Sequence, residues 1–110
     1  MEKLKIYLMC AAAMSSAFMV EKMKESAKEK GIDVEIDCHP QVRYRNFDYT
    51  DVSYVLLAPQ VKASKVDVEK YIREKGLNVP VGVIPMQDYG LMRGDKVLQV
   101  VLDEMNYMIN

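Results

Sequence analysis

Four short apolar runs, at residues 3–9, 32–38, 53–58 and 79–84, alternate with stretches of helical spacing, and no other feature constrains the fold as tightly. Runs of this length read as strands, and a strand–helix–strand succession joins parallel neighbours through right-handed crossovers. Residues 53–58, SYVLLA, are apolar almost throughout, the pattern of a strand covered on both faces. Residues 3–9, centred on Ile6, Tyr7 and Leu8, read the same way. In 32–38, Ile32, Val34, Ile36 and Cys38 alternate with Asp33, Glu35 and Asp37, which marks a half-buried strand nearer an edge. The expected architecture is α/β: a four-stranded parallel sheet in the order 2-1-3-4, strands 1 and 3 central, helices on both faces. A chain of 110 residues suits one domain spanning 1–110.

The punctuation between strands fits this order. Ser15 or Ser16 is a good N-cap for a helix running to about residue 30, with Phe18, Met19, Met23 and Ala27 on one face. Gly31 is its stop. Pro40 falls just past strand 2, and residues 39–51 resist assignment beyond a short helical turn. Pro59 ends strand 3. Ser64 caps a helix over 65–75 with Val68, Tyr71 and Ile72 inward, and Gly76 stops it. After Pro85 a last helix is expected from Asp88 or Leu91 to Ile109, carrying Leu91, Val97, Leu98, Val101, Leu102, Met105 and Met108.

Composition excludes several classes. Half the residues are hydrophobic and 28% are charged, as in a soluble globular protein. A net charge of −1 lacks the basic excess of a nucleic-acid footprint. No apolar run approaches the roughly 20 residues of a membrane span. Two cysteines, Cys10 and Cys38, are too few for a disulfide framework or a zinc cluster, so no metal or other cofactor is expected. Free thiols and nine methionines point to a reducing compartment and a cytoplasmic protein.

Strand 1 runs into Cys10, then a loop of small residues, then a helix. In a doubly wound sheet ligands bind beyond the carboxyl ends of the strands, at the switch point, here between strands 1 and 3 with Pro59 and Gln60 alongside. A helix mouth favours anions and activates a thiol. The fold and the thiol thus single out one place. The arrangement is similar to the P-loop fold of low-molecular-weight phosphatases, but these need an Arg to clamp the phosphoryl oxygens, and Ser16 stands in that position. No Arg or Lys precedes Lys22, and no Asp-Pro general acid exists. A Cys-x-x-Cys redox pair is excluded by Ala13, and a dinucleotide turn by the lack of glycine. What remains is a thiolate that takes a phosphoryl group and passes it on. A loop of backbone amides suffices for that without metal, because phosphoryl transfer is mostly positioning and charge stabilisation.

These residues resemble the IIB component of the sugar phosphotransferase system, in the lactose/cellobiose/chitobiose class. That family has Cys-Ser-Ala-Gly-Met-Ser-Thr-Ser after its first strand, against Cys10, Ala11, Ala12, Ala13, Met14, Ser15, Ser16 and Ala17 here. LLAPQV at 56–61 is similar to the family's Leu-Leu-Gly-Pro-Gln, and Tyr89-Gly90 matches its Tyr-Gly. The resemblance implies that Cys10 accepts a phosphoryl group from a phosphohistidine on a IIA protein, held by residues 11–17, with Ser15 and Ser16 adding hydroxyls. It implies transfer onward to a sugar, a β-linked disaccharide being expected, on a membrane IIC permease. A small carrier that docks two partners in turn is expected to be monomeric, without nucleic-acid binding or membrane insertion. The departures are Ala11, Ala13 and Ala17. If the family's glycine needs positive φ, Ala13 costs about 1 kcal/mol or more. A diverged regulatory or binding module is therefore the alternative, and a phosphatase the third.

Other residues carry weaker expectations. Cys38 should end strand 2 on the same edge as Cys10, as a filler thiol or, under oxidation, a disulfide partner. His39 is expected in an exposed turn. Met14 is core or a partner contact, and Tyr71 is core. Arg43, Arg45 and Lys62, on loops at the active edge, are solvated charges or steer an acidic or phosphorylated partner.

Overall fold

The computed structural model describes residues 3–11 and 13–106, with the backbone alone at 13–15. Its strands are β1 (Leu4–Cys10), β2 (Val34–Pro40), β3 (Tyr54–Leu57) and β4 (Val81–Val83). All pairings are parallel and the order is β2-β1-β3-β4, as the apolar pattern predicts. β3 is buried throughout and β1 all but Lys5, whereas β2 at the edge is mostly half-buried. Pro40 closes β2 as its last residue rather than lying beyond it.

The helices are α1 (Ala13–Lys30), α2 (Lys65–Glu74), α3 (Met86–Gly90) and α4 (Gly94–Glu104). The β1–β2 and β3–β4 crossovers run in opposite directions across the sheet, so right-handed connections put α1 and α2 on opposite faces. Gly31 and Gly76 adopt φ of +68° and +76° and close α1 and α2. Ile32 N donates to Ala27 O and Leu77 N to Ile72 O, which satisfies carbonyls of each last turn.

Three expectations about the helices are corrected. First, α1 opens at Ala13, so Ser16 is inside its first turn and does not cap it. Alanine propagates helix better than serine, which extends the helix towards Cys10. Phe18 is also 63% exposed; the buried stripe is Met19, Val20, Met23 and Ala27. Second, Ser64 makes no side-chain cap, because a 3-10 segment, Pro59–Ser64, leads directly into α2. Third, the single last helix is two. Met92 takes φ of +53° between α3 and α4, and Leu91 is exposed. The break has a packing cause: Gly94 is buried against α1, where a Cβ would lie 2.5 Å from the Lys22 carbonyl carbon and 2.6 Å from Met23 N. A continuous apolar spacing cannot reveal such a close approach of two backbones. α4 still buries Val97, Leu98, Val101 and Leu102, while Met108 lies outside the described residues.

Residues 41–53 cross β1 on the α2 face and are held by side chains rather than by a ladder. Gln41–Asn46 form a 3-10 segment. Tyr7 Oη donates to Asp48 O at 2.8 Å, Tyr49 Oη to Tyr44 O at 2.6 Å and Tyr71 Oη to Arg45 O at 2.9 Å. The rings of Tyr7, Tyr49 and Tyr71 meet edge to face, with centroids 5.6 Å and 6.1 Å apart. Tyr71 is thus half-buried and bonded rather than plain core.

Candidate active site

Cys10 is the last residue of β1; it pairs with Pro40 of β2, while the ladder to β3 ends one residue earlier, at Met9. It is 3% exposed, so the sulfur is recessed rather than displayed. Residues 11–17 carry the chain from this strand end into α1. Ala11 forms a bend and is exposed, and Ala17 is exposed on the helix. Ala13 opens α1, where alanine is a better helix former than glycine. Ala12 and the side chains of Met14 and Ser15 lie outside the described residues. On the β3 side, Ala58 N donates to Met9 O at 2.8 Å, which sets Pro59 and Gln60 beside the end of β1; Pro59 is buried and Gln60 exposed.

Ser16 is fully buried, and its hydroxyl lies 2.8 Å from Tyr89 Oη, itself 6% exposed. A buried hydroxyl must find a partner, and each of these satisfies the other. This contact joins the first turn of α1 to α3, which follows β4 at the same sheet edge. Residue-by-residue reading misses Tyr89 as a site component. The available signal is its place: a tyrosine just past the carboxyl end of a strand, on the edge that carries Cys10.

Cys38 lies beside Cys10. In the β1–β2 register Leu8 pairs with Cys38 and Cys10 with Pro40, so both thiols leave the same sheet face. Their sulfurs are 3.5 Å apart, and the Cys10 thiol is 3.9 Å from His39 O. Both cysteines are free. Burial, then the neighbouring Cys10, push the Cys38 thiol up to about 11, against a smaller opposing effect of the Ser16 hydroxyl. At neutral pH Cys38 therefore keeps its proton.

His39 is not in an exposed turn. It is the penultimate residue of β2 and half-buried, its ring stacked on Phe47 at 4.1 Å and edge-on to Tyr7 at 4.7 Å. Burial holds its pKa below the ordinary histidine value, outweighing the attraction of Asp37. Arg43, Arg45 and Lys62 are exposed on the segments that leave β2 and β3, with Arg45 over the Tyr44 ring at 5.1 Å. No helix among the described residues is long and apolar enough to cross a membrane.

A recessed thiol at the carboxyl end of a central parallel strand, feeding a helix through small residues, can present a nucleophile to an anion. It carries no basic side chain of its own between residues 10 and 17. Comparison with known proteins places this arrangement. The model of the family "PTS system, Lactose/Cellobiose specific IIB subunit" matches residues 5–100. The chain is 43% identical over 107 residues to the galactose-specific EIIB component of Lactococcus lactis subsp. cremoris (strain MG1363), covering 92% of this chain and 95% of that protein. It is 42% identical, with the same coverage, to the cellobiose-specific EIIB component of Lactococcus lactis subsp. lactis (strain IL1403). The solution structure of the cellobiose-specific phosphotransferase IIB component from Borrelia burgdorferi superposes with a TM-score of 0.74 at 31% identity, covering 99% of this chain and 97% of that one. The chain belongs to the lactose/cellobiose family of sugar-specific IIB subunits of the phosphotransferase system.

Proposed function

We propose that Cys10 is the phosphoryl acceptor of this IIB subunit and that the amides of residues 11–17 hold the transferred group. The observation that carries this reading is the position of Cys10, the recessed end of the central strand opening onto α1. The donor is a phosphohistidine on a IIA protein. The Cys10 sulfur attacks phosphorus, an S–P bond forms, the N–P bond breaks, and the imidazole nitrogen keeps the electron pair. In the second step a sugar hydroxyl on a IIC permease attacks the same phosphorus, an O–P bond forms, the S–P bond breaks, and the Cys10 sulfur leaves with the electron pair and regains a proton as the hydroxyl loses one. The helix mouth and loop amides stabilise charge on the equatorial oxygens in both steps.

The residues also account for why the group is passed on rather than hydrolysed. A phosphatase clamps the oxygens with a guanidinium, and here the corresponding side chain is Ser16, turned inward to Tyr89. Ser16 therefore serves the site by fixing the first turn of α1, not by reaching a phosphoryl oxygen. A β-linked disaccharide is the proposed sugar class, in keeping with the cellobiose specificity in the name of one relative. Exposed Arg43, Arg45 and Lys62 surround the same edge and are placed to steer a phosphorylated partner.

The test is incubation with labelled phosphoenolpyruvate, the general transfer proteins and IIA. The expected result is a stable label on the wild type and none on Cys10→Ser. Steady release of free phosphate would show a phosphatase instead. An unlabelled, folded wild type would show a diverged binding module.

A further inference from the structure

Cys38 is a nucleophilic side chain that the proposed phosphoryl transfer does not use, and it lies against the acceptor thiol. We propose that Cys10 and Cys38 form a reversible, peroxide-driven disulfide, a modification site that closes the acceptor thiol. Three observations carry this. The two sulfurs are already 3.5 Å apart and nothing separates them. They leave the same face of neighbouring strands. Cys10 is the terminal residue of its strand, followed by a bend, so it has room to move that a mid-strand residue lacks. A disulfide needs about 2.05 Å between sulfurs, so the pair must close by about 1.5 Å.

The chemistry balances with hydrogen peroxide as the oxidant. The Cys10 sulfur attacks the O–O bond and becomes a sulfenic acid, and the other oxygen leaves as water. The Cys38 sulfur then attacks the Cys10 sulfur. The S–O bond breaks, hydroxide leaves, and it takes the Cys38 proton to form a second water. Two thiols are oxidised by two electrons and one peroxide is reduced to two waters. Burial keeps the Cys38 thiol protonated, so the second step becomes faster as pH rises. Cys38 pairs with Leu8 and not with Cys10, so the bridge spans a diagonal between the two strands. A thiol reductant reverses it by thiol–disulfide exchange.

That the disulfide stops phosphoryl acceptance rests on the role of Cys10 proposed above; that it forms does not. The experiment therefore reads both. The purified full chain is treated with hydrogen peroxide, then analysed by intact mass and by peptide mapping, and in parallel by labelling from IIA. The wild type is expected to lose two hydrogens, to yield a peptide containing Cys10 linked to one containing Cys38, and to lose its label until dithiothreitol restores it. Cys38→Ala and Cys38→Ser are expected to label normally before treatment. Under excess peroxide they gain oxygen atoms on Cys10, and dithiothreitol does not restore their label, because sulfinic acid is not reduced by thiols. The absence of the linked peptide from the wild type overturns the proposal, as does equal recovery of label in wild type and Cys38 variants. A linked peptide in a chain that never labels would uphold the pair and sink the acceptor role.

Discussion

Two segments leave the carboxyl ends of neighbouring strands, and they are built in opposite ways. From β1 the chain passes through small residues straight into α1, and one polar contact, Ser16 with Tyr89, ties that first turn to α3. From β2 it passes through residues 41–53, where tyrosine hydroxyls bond to backbone carbonyls and aromatic rings pack edge to face. The first segment is alanine at 11, 12, 13 and 17, which suits the proposed approach of an anion to its backbone. The second gains rigidity from large side chains and offers little free backbone. Stability and chemistry are therefore separated along one sheet edge, a few residues apart.

The separation can be broken most forcefully at Tyr49. It is 2% exposed and its hydroxyl is bonded to Tyr44 O. Tyr49→Ala should destabilise the fold by about 3–5 kcal/mol in urea unfolding. Protein that remains folded should still label at Cys10 at the wild-type rate. A comparable loss of labelling rate in folded protein would mean that the aromatic segment also shapes the site.

Tyr89→Phe sharpens the other half. Removing this hydroxyl takes the Tyr89 partner from the buried Ser16 hydroxyl, and the loss should be about 1 kcal/mol of stability. The labelling rate should fall more than stability does, by roughly 10- to 100-fold, since small misplacements of a reacting group are costly. Ser16→Ala combined with Tyr89→Phe should recover part of the stability, because both buried hydroxyls are then gone. Stopped-flow labelling and urea unfolding on the same samples check both halves of this expectation.

The smallest effect is expected at His39, which is packed on Phe47 and Tyr7 in the aromatic segment. Its folded pKa is lowered by burial. Above the ordinary histidine pKa both states are neutral and nothing changes. As pH falls through that value the unfolded chain takes up a proton before the folded one does, so stability declines until the folded histidine also protonates. His39→Phe should remove this part of the acid sensitivity. The difference in unfolding free energy between variant and wild type should thus grow in favour of the variant between pH 7.5 and pH 5.5. A difference independent of pH would show that His39 titrates normally.

Sequence reading recovers what local pattern encodes. Sheet order follows from four apolar runs and the handedness of their crossovers, and the place of Cys10 at the end of β1 follows from a strand that ends where a helix starts. The clamp at 41–53 is invisible because Tyr7, Tyr49 and Tyr71 come from distant parts of the chain, and no spacing predicts that their rings meet. The α3–α4 break is hidden for a similar reason. Met92 and Gly94 interrupt a spacing that still reads as one helix, and the reason for the break lies across the molecule at Lys22 and Met23. Ser16 shows the limit most plainly: its type is that of a cap, while inside α1 its hydroxyl meets Tyr89, 73 residues away.

The central claim is that the Cys10 sulfur carries the phosphoryl group. Phosphorus NMR of the intact chain after transfer from phosphorylated IIA tests it directly. The account predicts one thiophosphate signal, absent from Cys10→Ser and unchanged in Cys38→Ala. With IIA removed, a phosphohistidine signal from this chain, whose one histidine is His39, or a signal that survives Cys10→Ser would contradict it.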